Sequence, residues 1–192
     1  MKLSSEAIRK ILDSHAKWLS GDCSGTKADL TEADLTEADL TGANLTGANL
    51  TEADLIGADL TGANLTRANL TDADLTEADL RRANLTRANL TEANLTDADL
   101  TEANLTKANL TGANLTEANL TGANIISYHS GLWTAYIQPK HIRIGCQYHT
   151  VEQWSSFDDE KIAAMHPFAL SYWRKNKAII LAIAESFKEE AA

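Results

Sequence analysis

The run ADLTEADLTEADLTGANLTGANL, Ala28 to Leu50, repeats one five-residue phrase: alanine, Asp or Asn, leucine, threonine and a variable residue. Outward from it, alanine recurs at every fifth position from Ala28 to Ala123, which makes twenty units. Asp or Asn follows each alanine. Leucine follows from Leu30 to Leu120, and Ile125 takes the last slot. Threonine comes next from Thr31 to Thr121, except at Ile56 and Arg81, and the fifth residue is drawn from Glu, Asp, Gly, Arg and Lys.

A period of five excludes the two ordinary elements. In an α-helix five residues advance about 500°, so successive leucines step about 140° and spread over every face. In a flat strand an odd period sends successive leucines to opposite faces. A chain that turns a corner in each unit solves the problem. All leucines then point to a shared axis, the small alanine two residues earlier fits beside the corner, and Asp/Asn, threonine and the variable residue face outward. Coils stacked at β-like spacing pair their backbone groups with one another. That is a solenoid, in which each coil touches its neighbours. The period alone leaves the number of sides open.

The phrase A-[DN]-L-T-x over Ala28–Ile125 resembles the pentapeptide-repeat family. The resemblance implies a β-solenoid: a right-handed quadrilateral β-helix with four five-residue sides per coil. Twenty units then make about five coils, a column of roughly 24 Å at about 4.8 Å per coil. Leu30, Leu50, Leu75, Leu100 and Leu120, with Ala73 and Ala98, sample the expected core.

The flanks read as caps, giving three parts: 1–25, 26–126 and 127–192. SSEAIRKILDSHAKWLSG predicts a helix capped by Ser4 or Ser5 and ended at Gly21, with Ile8, Ile11, Leu12, His15, Trp18 and Leu19 on one face. Cys23–Gly25 forms a degenerate lead-in unit. Beyond Ile125 lie all the tyrosines and phenylalanines and every tryptophan but Trp18. AYIQPKHIRIGC predicts a short extended segment around Pro139, with Ile142 and Ile144 alternating. Thr150 and Gln153 form a capping-box pattern for a helix over Val151–Met165. Pro167 opens a longer helix to about Lys188, with Leu170, Trp173, Ile180, Leu181, Ala184 and Phe187 as its apolar stripe. The expected result is a small, mostly helical C-terminal subdomain. ILDSHAKWLSG and YIQPKHIRIGCQYHTVEQW also resemble the flanks of a group of bacterial pentapeptide-repeat proteins. Units this regular fit a natural sequence or a consensus block set between natural-looking caps, and both origins stay open.

Chemistry finds little foothold. A net charge of −10 argues against nonspecific binding of nucleic acid and against an anionic membrane surface. No stretch approaches 18 apolar residues, and MKLSSEAIRK lacks the apolar segment of a signal peptide, so a cytoplasmic chain with two free thiols, Cys23 and Cys146, is expected. His141, Cys146 and His149 are the sole metal-like cluster. They lack a fixed carboxylate, so no metal is assigned. A Cys146–His pair lacks an orienting group and an oxyanion loop, so no nucleophile is assigned. No phosphate-binding glycine loop occurs. Neither catalysis nor a cofactor is expected.

Four sides per coil would place every twentieth residue on one wall. Glu32, Glu52, Asp72 and Glu92 form one acidic column. Glu37, Glu77, Asp97 and Glu117 form a second, beside Asp39, Asp59, Asp79 and Asp99. Lys27, Arg67, Arg87 and Lys107 form a basic column, and Asn44, Asn64, Asn84 and Asn104 a neutral one. The pattern suits a solvated surface or a non-catalytic scaffold that binds an unidentified protein or a second copy of itself. The family resemblance implies an alternative: some members are acidic rods that imitate duplex DNA and bind type II topoisomerases such as DNA gyrase. Here leucine rather than phenylalanine fills the central slot, no loop interrupts the coils, and a basic wall is present.

Overall fold

The computed structural model describes residues 2–123, 127–130, 133–137, 141–144 and 146–186. Helix α1, Ser5–Leu19, is followed by the repeats, which pair in parallel at a fixed offset of twenty residues. Asp29 pairs with Asn49, Asp34 with Asp54, Asp39 with Asp59 and Asn44 with Asn64, and the ladder continues to Asn119. Twenty residues are four units, so each side of a coil lies against the side four units on.

Backbone accounting explains the phrase. Taking the unit around Leu70, the Asn69 N–H donates to Ala48 O, Leu70 N–H to Asn89 O and Asp72 N–H to Thr91 O, all in neighbouring coils. Ala73 N–H closes the turn onto Leu70 O. One amide per unit, that of threonine, has no backbone partner in this scheme. The side chain of the preceding Asp or Asn accepts it: Thr71 N–H donates to Asn69 Oδ1, and Thr71 Oγ1 donates to the same atom at 2.7 Å. Asp and Asn alone carry a carbonyl-type oxygen on so short a side chain, which is why this slot tolerates either and nothing else. The outward slot of the sequence reading is therefore a turn cap, half-buried along most of the column.

The variable residue also has a fixed backbone role. Thirteen non-glycine residues there have φ between 55° and 63°, and Gly42, Gly47, Gly57, Gly62, Gly112 and Gly122 share the left-handed region. Inside the coils, every leucine from Leu35 to Leu110 is at most 1 % exposed, and alanines from Ala48 to Ala103 line the same interior. Each such leucine contributes about 1.5–3 kcal/mol through burial. The last unit's Ile125 lies outside the described residues.

Helix α1 is capped by Ser4, which accepts from Ala7 N–H at 3.2 Å. Ile8 and His15 are buried, whereas Trp18 remains 41 % exposed and stacks on His15. Before α1, Lys2 pairs with Asp34 and Leu3 N–H donates to Asp34 O, so the chain starts as an extra rung on the first coil. Gly25 lies against α1. A Cβ there would stand 2.2 Å from Trp18 N, so only glycine permits this approach.

Beyond the repeats, β1 (Ser127–Ser130), β2 (Trp133–Ile137), β3 (His141–Ile144) and β4 (Gln147–Thr150) form an antiparallel sheet in sequence order. The extended segment of the sequence reading is thus a pair of central strands. Pro139, between them, lies outside the described residues. A mostly helical reading does not contain this sheet. Its outer strands, SYHS and QYHT, lack the apolar alternation that marks a strand, unlike HIRI with Ile142 and Ile144 buried around exposed Arg143. The single helix expected over Val151–Met165 is two: α2, Val151–Ser156, and α3, Asp159–Ala163. The break comes at Phe157, extended at φ −67° and ψ 127°, after which Asp158 caps α3 by accepting from Lys161 N–H at 2.8 Å. The capping box of Thr150 and Gln153 is formed. Helix α4, Ala169–Ser186, buries Tyr172, Trp173, Ile180, Ile183 and Ala184 and leaves Leu170 and Leu181 half-buried. Phe187 and Lys188 lie outside the described residues.

Candidate interaction surfaces

The twenty-residue register sorts the surface into four faces of Asp/Asn and threonine, separated by four columns of variable residues. The four cations Lys27, Arg67, Arg87 and Lys107 share one column, with Gly47 on its second rung. All four are exposed, and Arg67, Arg87 and Lys107 enter no ion pair among the described residues. The face on one side of this column carries Asn44, Asn64, Asn84 and Asn104. The face on the other carries Asp29, then Asn49, Asn69, Asn89 and Asn109.

Half a coil away stands the column Glu37, Gly57, Glu77, Asp97 and Glu117. Its flanking faces carry Asp34, Asp54 and Asp74 on one side and Asp39, Asp59, Asp79 and Asp99 on the other. Glu32, Glu52, Asp72 and Glu92 complete the acidic half. The fourth column is close to neutral, with Arg82 Nε on Glu102 Oε2 at 2.6 Å across one coil. The column thus has a basic edge between Asn faces and, opposite it, an acidic edge between Asp faces.

Asp and Asn make different contacts on these faces. Along the face that carries Asn49 to Asn109, Asn donates Nδ2 to the oxygens of the rung before: Asn69 to Asn49 Oδ1 at 3.3 Å and Thr51 Oγ1 at 2.7 Å, and Asn89 and Asn109 likewise, as do Asn94 and Asn114 on the face of Asp34, Asp54 and Asp74. Aspartate has no such donor. In the face that carries Asp39, Asp59, Asp79 and Asp99, Arg81 replaces the usual threonine and lies on Asp79, with Nε at 2.8 Å from Oδ1, and reaches Asp99 at 4.0 Å. That contact holds the Asp79 carboxyl below the ordinary range. Thr31, Thr36 and Thr41 do the same for Asp29, Asp34 and Asp39 by hydrogen bonding. The other irregular residue, Ile56, sits in the second Asp face with 36 % of its surface exposed.

Outside the repeats, His15 is a fully buried imidazole. Its Nδ1 accepts from Ala28 N–H at 3.0 Å, which ties α1 to the first unit and requires a neutral ring. Burial pushes this imidazole below its ordinary value of 6.5; the Thr46 backbone opposes the shift and Lys27 adds to it. The trio His141, Cys146 and His149 is held by other contacts. His141 stacks on Tyr148, His149 meets Gln147, Trp154 and Phe157, and Cys146 is exposed. Among the described residues no group of three His, Cys, Asp or Glu side chains is placed to hold a metal ion. A cavity of about 80 Å³ is lined by Trp133 of β2, Trp154 of α2, and Tyr172 and Trp173 of α4. Among the described residues no helix is long and apolar enough to cross a membrane.

The left-handed corner and the Asn ladder are the features that sequence reasoning passed over. Six glycines at the variable position were the available signal for the first, and the strict Asp/Asn choice for the second.

The sequence profile described as "Pentapeptide repeats (8 copies)" matches residues 28–67, 68–106 and 93–126, together just over half of the chain. The chain belongs to the pentapeptide repeat family. The family fold is a right-handed β-helix solenoid, and its members are generally structural or interaction proteins. No curated protein matches the chain. Among solved structures, similarity extends to HetL, a pentapeptide repeat protein involved in heterocyst differentiation regulation from the cyanobacterium Nostoc. Identity there is 35 % over 55 % of this chain and 67 % of that one, with a TM-score of 0.31. A pentapeptide repeat protein from the Arabidopsis thaliana thylakoid lumen is 36 % identical over 51 % of this chain and 65 % of that one, with a TM-score of 0.29. QnrB1, a plasmid-mediated fluoroquinolone resistance protein, is 22 % identical over 52 % and 58 %, with a TM-score of 0.33. The match to this chain therefore spans about two thirds, or less, of these proteins.

Proposed function

We propose that this pentapeptide repeat protein is a non-catalytic scaffold for protein interaction. In this reading it is a quadrilateral column of about five coils (residues 26–126), covered by α1 and its lead-in (1–25) and by the C-terminal subdomain (127–192). The observation that carries the proposal is the separation of charge into a basic edge and an opposite acidic edge on a regular wall. Such a surface offers no concave pocket for a small substrate, but it presents fixed charges at about 4.8 Å intervals to a protein partner. Soluble proteins from a bacterial lysate, passed over immobilised full-length chain and over a copy with Arg67, Arg87 and Lys107 changed to glutamate, test it. Partners retained by the first and lost from the second support it. Equal retention by both refutes a role for the walls.

One observation favours a second reading, an acidic DNA mimic that binds a type II topoisomerase. The acidic half holds fifteen carboxylates and Arg81. Over a column of roughly 24 Å that is about one net charge per 1.7 Å, the axial charge density of duplex DNA. The basic edge opposes this reading, because a duplex is anionic all round. Inhibition of DNA gyrase supercoiling by the full chain, relieved by changing Asp34, Asp54, Asp74, Asp39 and Asp59 to asparagine, is the outcome it requires.

A further inference from the structure

The basic and acidic edges match each other rung by rung. From the first coil downward the basic column reads Lys27, Gly47, Arg67, Arg87, Lys107, and the acidic column reads Glu37, Gly57, Glu77, Asp97, Glu117. A cation has a carboxylate as its counterpart on four rungs, and glycine has glycine on the fifth. The other acidic column does not match, because its glycine, Gly112, is on the last rung. The matched columns are ten residues apart, half a coil, so they stand on opposite edges of the column. They cannot meet within one molecule.

They can meet between two. Resting on the scaffold reading above, we infer that the partner of this surface is a second copy of the same chain, lying alongside and pointing the same way. The basic edge of one copy then lies on the acidic edge of the next. Parallel copies offset by half a coil, about 2.4 Å, bring Arg67 to Glu77 and Arg87 to Asp97. Antiparallel copies set Gly47 against Asp97 and Gly57 against Arg87, so one of the four ion pairs is lost and two charges are left facing glycine. The surroundings of the two edges reinforce the match. Beyond Asp29, beside Lys27, only Asn flanks the basic edge, while seven aspartates on the two flanking faces deepen the potential at the acidic edge. At its first rung this acidic edge already holds a cation from the same chain, Lys2 Nζ at 3.5 Å from Glu37 Oε2.

The contact joins two different edges of the same molecule. It is therefore head-to-tail in the lateral sense and leaves a free edge at each end. A row that grows with concentration follows, rather than a closed dimer. Exposed ion pairs are individually weak and screened by salt, so the association is a reversible one that rests on several rungs at once.

Sedimentation velocity on the full chain tests the inference at two salt concentrations. At about 0.1 M the screening length of about 10 Å damps repulsion between net-acidic rods while facing charges still act; at about 1 M it is about 3 Å. The expected result is a mass that climbs with concentration from 20.8 kDa toward multiples of it in low salt, and that returns to one chain in high salt. Two variants give the decisive arm: Arg67→Glu with Arg87→Glu, and Glu77→Arg with Asp97→Arg. Both use residue types that the repeats already carry at these positions, and circular dichroism checks the fold. Each variant alone stays monomeric, and an equimolar mixture associates again. A wild-type chain that is monomeric in low salt overturns the inference, as does association that survives high salt or persists in either variant alone. A monomeric chain that still captures a charged partner overturns this inference alone. A chain that captures no partner through its walls overturns the scaffold reading as well.

Discussion

Asp54 stands on the wall between Asp34 and Asp74, one coil from each. Its Oδ1 caps the turn by accepting from Ile56 N–H at 3.2 Å. Asparagine keeps that oxygen, so Asp54→Asn preserves the cap. It removes a charge that faces two like charges about 5 Å away, each pair worth about 0.8 kcal/mol in water before screening by salt. It also adds a donor. Forty residues on, Asn94 Nδ2 reaches Asp74 Oδ1 at 3.2 Å and Thr76 Oγ1 at 2.8 Å. The amide introduced by Asp54→Asn would stand in the same relation to Asp34 and Thr36, and a net hydrogen bond contributes about 0.5–1.5 kcal/mol. Together the expected gain is about 1–2 kcal/mol, an increase in melting temperature of roughly 2–8 °C for a chain of this size. Thermal unfolding followed by circular dichroism at low and high salt separates the two parts: the charge part fades with salt and the hydrogen-bond part persists. Asp54→Ala is the opposite control. It strands the Ile56 amide and costs about 1–3 kcal/mol. If Asp54→Asn is neutral or destabilising at both salt concentrations, the ladder reasoning is refuted.

Other outcomes follow from the same geometry. Leu75→Ala empties a fully buried slot and lowers stability by about 2–5 kcal/mol, whereas Thr76→Ser, on the wall, costs far less in the same denaturation assay. Glu77 has φ 59°, so the β-branched Glu77→Val costs about 1–3 kcal/mol while Glu77→Gly is tolerated or stabilising. Because burial lowers the folded-state pKa of His15 below 6.5, the unfolded chain takes up the proton first. Stability at neutral pH therefore falls as pH drops through 6.5 toward the folded value, and His15→Gln flattens that part of a pH–stability curve. The depressed carboxyls of Asp29, Asp34, Asp39 and Asp79 act lower down, where their contribution, present above about 3.8, is lost as pH falls through the folded values.

The fold was legible because one physical constraint dominates the repeats: a period of five cannot bury its leucines in a helix or a flat strand. The register could not be read from the period, since any number of sides lets leucine point inward. The family resemblance supplied it, and the Asp/Asn pairing at twenty residues is its structural expression. Where periodicity ends, legibility falls. HIRI announces a strand because Ile142 and Ile144 alternate with Arg143, but SYHS and QYHT pair through backbone groups that any sequence carries. The break between α2 and α3 was also hidden, because Phe157 and Asp158 continue an acceptable helical pattern and only the Asp158 side chain, bonded to Lys161 N–H, starts a new helix. The charged walls follow from the register by arithmetic. The role of Asp and Asn as caps does not, because it depends on which amide the coil leaves unpaired.

That capping role bears on what the surface is for. The coil needs an oxygen at Oδ1 and is indifferent to whether the other atom is oxygen or nitrogen. A folding requirement alone would let Asp and Asn mix along every face. Instead Asn fills the face before the basic edge and most of the face after it, while seven aspartates stack on the two faces beside the acidic edge. The stacked aspartates cost stability: those beyond the first rung forgo a ladder bond of the kind that Asn94 and Asn119 make on the same two faces, and each adds a like charge about 5 Å from the last. Arg81, placed where threonine normally stands, relieves the strain at Asp79 but not at Asp34, Asp54 or Asp74. A solvated surface gains nothing from an arrangement that sacrifices stability to gather charge. A surface that must hold a basic edge in a fixed rung pattern gains its binding potential from it, and for that reason Asp54→Asn is expected to strengthen the column and weaken lateral association together.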